Sequence, residues 1–158
     1  MAQTVAEQGR ISGNGGRARA ARVGAVATLL AMALIVYGTY GDPKASDSQK
    51  SGMPFVLAMA LVVAVVMFGV VAPLALRAVA AGAPGGRRWA IGLTTVSVLG
   101  LVVFWSGLPL IAGSAAALVG RAGRESGQDS RAFSIARVVG VVAAGLSILV
   151  TLVGNLAH

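Results

Sequence analysis

Cysteine is absent from this 158-residue sequence. That excludes disulfides, thiolate metal sites, thiol catalysis and cysteine lipidation together. Histidine is nearly absent, its one instance being His158. The acids are Glu7, Asp42, Asp47, Glu125 and Asp129, and each lies in a polar stretch. Charged residues make up 11% of the chain, against about 25% in a soluble domain. Apolar residues make up 56%. A water-soluble chain this short would need more polar surface to cover its core. The composition therefore predicts lipid as the solvent for most of the surface.

The net charge of +8 sits in short basic clusters between uncharged runs. No cluster forms a stripe interleaved with aromatics, so the footprint of a nucleic-acid binder is missing. Flanking positive charge instead orients membrane segments, with Lys and Arg retained on the cytoplasmic side. Residues 1–22 hold Gly13, Gly15 and Gly16, then Arg17, Arg19 and Arg22. Lacking helical periodicity, they read as a flexible basic cytoplasmic tail that turns helical near the membrane, ahead of a transmembrane domain over 23–158.

Four uncharged runs follow. The first, 23–41, has nineteen residues and spans roughly 28 Å as a helix, close to the hydrocarbon thickness. Tyr37 and Tyr40 stand where a signal peptide would place small residues, so a retained helix with an interfacial aromatic belt is expected. After the hydrophilic loop 42–52 comes the second helix, 53–76, with Pro54 near its start and Pro73 near its end. Ala83 to Arg88 reads as a basic turn. The third run, Trp89 to Gly120, has thirty-two residues and would be about 48 Å long as one helix, too long for a bilayer. Trp105, Ser106, Gly107, Leu108 and Pro109 form a breaker in its middle. Two helices, 89–105 and 108–120, or one helix and a re-entrant piece, are therefore expected. A polar loop 121–131 and a last helix over 134–157 complete the chain.

Charge placement separates the topologies. With four passes, Arg10, Arg17, Arg19, Arg22, Arg77, Arg87 and Arg88 lie inside, and Lys44, Lys50, Arg121, Arg124, Arg131 and Arg137 outside. That is almost no bias. With a turn at 105–109, all eleven arginines are inside and both lysines outside, as the positive-inside rule asks. The price is two short arms, which a bilayer tolerates at modest cost. Five segments are the favoured reading, four the alternative.

The uncharged runs, the last of them 138–157, hold no Asp, Glu, His, Lys or Arg, which argues against a carboxylate proton relay and an intramembrane metal site. Their hydroxyls, such as Thr28, Thr94, Ser97, Ser114 and Ser147, have no His or Lys beside them to act as base. Bonds to backbone carbonyls or a neighbouring helix are expected instead. No catalytic, cofactor-binding or metal residue is assigned, and no cofactor is expected.

Small residues recur four apart. Ala60 and Ala64, Gly113 and Ala117, and Ala136, Gly140 and Ala144 each share a helical face. Such faces let helix backbones approach closely and are candidate packing sites. Arg17, Arg19, Arg22, Arg77, Arg87, Arg88, Arg121 and Arg124 are candidate contacts for lipid headgroups.

Over 89–150 the sequence resembles uncharacterised small multi-pass bacterial membrane domains of the actinobacterial type. The likeness rests on Trp89 to Leu93, the Gly107 to Leu110 break, the basic glycine loop Arg121 to Arg131, and Ala136 to Gly140. Arg137 departs from the pattern, standing where such helices prefer a small residue. The resemblance implies a hairpin-plus-helix fold and brings no activity with it.

The sequence thus reads as an all-α integral membrane bundle of four or five segments in the plasma membrane, N-terminus cytoplasmic. Its partners are expected to be the bilayer and itself or another membrane protein, with no nucleic acid. The favoured function is a non-enzymatic accessory or scaffold subunit acting by helix–helix association. The alternatives are a small oligomeric channel or transporter and, third, an intramembrane enzyme.

Overall fold

The structure, a computed structural model, describes residues 2–41, 45–82, 84–128 and 131–156, with side chains described for 15–41, 45–82, 84–103, 106–128 and 131–154. Asp42, Lys44, Ala83, Asp129 and His158, named above, lie outside the described residues, as do the side chains of Glu7, Arg10 and Trp105. Every described element is helical.

Helix α1 runs over Ala2–Tyr40. The segment 2–22, expected as a tail, is continuous with the apolar run as one helix. Arg17-Ala18-Arg19-Ala20-Ala21-Arg22 consists of strong helix formers, and the Arg19 guanidinium donates to Glu125 at 2.8 Å. Positive charge ends a hydrophobic run without ending a helix.

Helix α2, Asp47–Val66, starts six residues before the apolar run because Ser46 caps it. The Gln49 N–H donates to Ser46 Oγ at 3.3 Å, and the Ser46 N–H to Gln49 Oε1 at 2.8 Å. This reciprocal box satisfies two otherwise orphaned donors. A π-helical turn, Met67–Val71, then leads into α3, Ala72–Ala80. Pro73 explains the turn. A proline has no N–H for the carbonyl four residues back, and its ring crowds that carbonyl. Here that residue is Gly69, and the Ala72 N–H reaches five residues back, to Met67. The wide turn lets the helix pass through Pro73 without breaking. It stops at Gly82, φ +66, which supports the last carbonyls in a left-handed cap.

The long third run is divided. Helix α4 spans Pro84–Gly100, with proline at its first position, so Gly85 to Arg88 form its first turn and not a loop. Leu101–Ser106 is a 3₁₀ segment in which Val103 leaves helical geometry (φ −117°, ψ 45°). Gly107 follows at φ +70 and opens helix α5, Leu108–Glu125. Only glycine suits this corner, because a Cβ there would also lie 3.0 Å from Ala31 Cβ. Arg121 and Arg124, expected in a loop, are helical. The helix closes at Gly127, φ +73, where the Gln128 N–H donates to the Gly123 carbonyl and the Gly127 N–H to that of Arg124. These paired bonds are a Schellman cap. Helix α6 is Arg131–Leu156.

Close contacts give the helix directions. Gly24 of α1 lies against Phe68 of the π-turn, Gly107 against Ala31 and Ile35, and Gly100 against Leu108 and Pro109. Gly86 lies against Val79, whose carbonyl also accepts from Gln128 Nε2 at 2.5 Å. Gly120 and Gly123 meet Phe133. Neighbours in sequence are therefore antiparallel, and α4 and α5 form a hairpin. Helix α5 sits in the middle, touched by α1, α2, α3, α4 and α6. Its Ile111, Ala112, Ala115, Ala116 and Val119 are fully buried.

The outer surface reverses the soluble pattern. Val102 is 74% exposed, Phe55 72% and Leu29 68%, while the core is largely alanine. Among the described residues, three helices are long and apolar enough to cross a membrane: Gly15–Tyr40, Asp47–Ala80 and Arg131–Gly154. The sequence led us to expect four or five. The two arms of the hairpin, 17 and 18 residues long, are not among the three. Helix α4 is the shorter arm, and α5 closes on Arg121, Arg124 and Glu125, three charges within its 18 residues.

Candidate functional site

The tightest helix contact is between α5 and α6. A Cβ on Gly113 would lie 2.6 Å from the Gly140 carbonyl oxygen and 3.2 Å from the Ala144 amide nitrogen. A Cβ on Gly140 would run into the Gly113 carbonyl oxygen and lie 2.7 Å from the Ala117 nitrogen. Four sequence-selected residues, Gly113, Ala117, Gly140 and Ala144, thus meet in one seam, and Ala136 is buried on the same helix. Ala60 and Ala64 are buried elsewhere, on α2; Ala60 lines a groove with Ile111. The small faces are spent on packing within one chain.

The seam extends to residues that four-residue spacing did not single out. A Cβ on Gly120 would lie 2.6 Å from both the Phe133 carbonyl oxygen and the Arg137 nitrogen, and one on Gly123 would overlap the Phe133 ring. Gly113 and Gly120 are seven apart, a two-turn repeat that a heptad scan would have caught. Gly24 with Phe68 left no such signal, because glycine and ring come from different helices.

Hydroxyls bond along their own helices. Thr28 donates to the Gly24 carbonyl at 2.6 Å, Thr39 to Ile35 at 2.9 Å, Thr94 to Ala90 at 2.8 Å and Ser97 to Leu93 at 2.7 Å. A hydroxyl engaged this way satisfies itself and is not poised as a nucleophile. Among the described residues no three His, Cys, Asp or Glu side chains cluster as metal ligands.

The helix directions gather charge at one end. Arg17, Arg19, Arg22, Arg77, Arg87, Arg88, Arg121 and Arg124, all exposed, share it with Arg131 and Arg137. Lys50, on the first turn of α2, is at the other end. Among the described residues, Glu125 is the acid within the basic end. It accepts from Arg121 Nε at 2.6 Å and Arg19 Nη1 at 2.8 Å. The Arg121 hydrogen bond, then the Arg19 one, holds its carboxyl below the usual carboxylate range. The Arg19 bond fastens α1 to the end of α5.

Two grooves lie between helices. At the basic end, Arg17 and Ala21 of α1 face Phe68, Gly69 and Pro73, with Arg77 one turn on, around about 400 Å³. At the other end, Phe55, Met59 and Ala60 of α2 face Ser106, Leu108 and Ile111 around about 220 Å³ of mainly apolar space. No protein-family profile, curated protein or solved structure matches this chain.

Proposed function

We propose that this chain is a multi-pass protein of the plasma membrane, N-terminus cytoplasmic, that crosses five times and serves as an accessory or scaffold subunit through helix–helix association. What carries the reading is the distribution of side-chain size. Small residues line the internal seams, and large apolar ones point outward along α2, α4 and α6. That is the packing logic of helices in lipid, where small residues admit close backbones and bulk faces the acyl chains. The arginines gathered at one end agree with a cytoplasmic face for that end. The hairpin arms are about 26 and 27 Å long, within modest mismatch of a bilayer.

Association then uses the outer faces, since the small-residue seam of α6 already holds α5. Val138, Val141, Val142 and Leu149 form an exposed apolar strip on α6. A channel within one copy is disfavoured because α5 fills the bundle axis. The test is a photo-crosslinking amino acid at Val141 in intact cells. Capture of this chain or of one defined membrane protein is the expected result. Adducts to lipid alone, with solute flux in reconstituted vesicles, would replace the scaffold with the small oligomeric channel or transporter.

A further inference from the structure

The groove at the basic end has an origin in the fold. The π-turn at Met67–Val71 widens the helix where it passes α1, and Gly69 and Ala21 bring no bulk into the space. Phe68 is wedged against Gly24, so close that a Cβ on that glycine would lie 2.5 Å from the ring's Cγ. Phe68 itself lines the groove together with Ala21. Val70, Pro73 and Leu74 complete an apolar wall, and Arg17 and Arg77 stand on its two sides.

Both arginines carry permanent charge. Among the described residues the ion pairs are Arg19–Glu125 and Arg121–Glu125, so the Glu125 carboxylate is already held by two other guanidiniums. Arg17 and Arg77 are therefore two cations flanking an open apolar groove, with no described carboxylate on either. Its volume, about 400 Å³, is in the range of small-molecule sites, roughly 300–1,000 Å³. Mostly apolar walls with guanidiniums at the rim match an amphiphile with an anionic head, not a free soluble anion.

We propose that this groove binds one anionic phospholipid, its phosphate between Arg17 and Arg77 and its first acyl carbons along Val70 and Leu74. The inference rests on the chain being membrane-embedded, as argued above. Bound lipid would fasten α1 to the π-turn, where the protein's own contacts leave a gap.

The full-length protein, purified from membranes, is exchanged into mixed vesicles of phosphatidylglycerol and phosphatidylcholine, and retained lipid is counted by native mass spectrometry. Wild type is expected to retain phosphatidylglycerol selectively. Arg17→Gln with Arg77→Gln is expected to lower that retention about tenfold. Arg87→Gln with Arg88→Gln removes equal charge from the same end outside the groove and is expected to retain it. Gly69→Leu tests shape, since a Cβ there meets nothing within 4 Å. It is expected to fill the groove and expel the lipid with every arginine intact. Equal loss from both double variants would reduce the effect to diffuse surface charge and overturn the site. So would equal retention of both lipids, or displacement by inorganic phosphate at concentrations that leave the control variant unaffected. Alkaline carbonate extraction separates the two levels. A chain that stays in the membrane without lipid selectivity sinks this inference alone, and a chain released into the supernatant sinks the membrane reading with it.

Discussion

Gly113 and Gly140 meet backbone to backbone, with no room for a methyl group on either. A Cβ on Gly113 would lie 2.6 Å from the Gly140 carbonyl oxygen, and neither helix can give way by turning a side chain. Gly140→Ile is therefore expected to push α5 and α6 apart and cost about 1–3 kcal/mol or more, the scale of overpacking. Thermal melting in detergent is the measurement. Gly145→Ala, on the same helix with nothing within 4 Å of its Cβ, is the control and is expected to melt no lower than wild type. An unchanged melting profile for Gly140→Ile would mean that the seam is looser than its geometry.

The corner at Gly107 predicts a second loss. Alanine there must adopt φ +70 and place its Cβ 3.0 Å from that of Ala31. The left-handed backbone alone costs about 1–2 kcal/mol. Gly107→Ala is expected to lower stability by at least that, and Gly92→Ala, in open space on α4, is expected to leave it unchanged or raised. Equal melting temperatures for the two variants would argue against the tight turn.

Glu125 predicts a pH dependence of definite sign. Hydrogen bonds from Arg121 and Arg19 lower its folded-state pKa relative to the unfolded chain. Its contribution is present above the ordinary carboxylate range and is lost as pH falls through the depressed value. The group is exposed, so the global effect is small. The local effect is release of α1 from the end of α5. Hydrogen exchange around 17–22 is expected to speed up in Glu125→Gln at neutral pH. On acidification, exchange corrected for intrinsic pH dependence is expected to rise in wild type and to stay flat in the variant.

Topology can be read with single thiols, since the chain has no native cysteine. Ser48 and Ser126 are both exposed, at opposite ends of the bundle. Ser48→Cys is expected to react with an impermeant maleimide added outside intact cells, and Ser126→Cys to be protected until the membrane is opened. A tag after His158 is expected to be accessible from outside. Labelling of Ser126→Cys from outside, with a cytoplasmic tag, would require four passes, with residues 89–120 crossing once.

Few charges and long uncharged runs in the sequence pointed to helices with an apolar exterior, and the structure has both. The break at Trp105–Pro109 was legible too, since glycine and proline punctuate a helix locally. So were Gly113, Ala117, Gly140 and Ala144 as residues able to sit in a close seam. Other features were decided only by tertiary structure. Helix ends were missed wherever charge was taken as the boundary. Arginine continues a helix, and the real stops are capping contacts at Ser46, Gly82 and Gly127. The central position of α5 could not be read from its own sequence, which is less apolar than that of α2 or α6. In lipid the buried helix is the one with small side chains, and burial depends on which partners close around it. The wedge of Phe68 against Gly24 and the groove between Arg17 and Arg77 join residues 44 and 60 positions apart. Only the antiparallel packing of α1 on the π-turn brings them together, because local periodicity carries no information about which helix lies beside which.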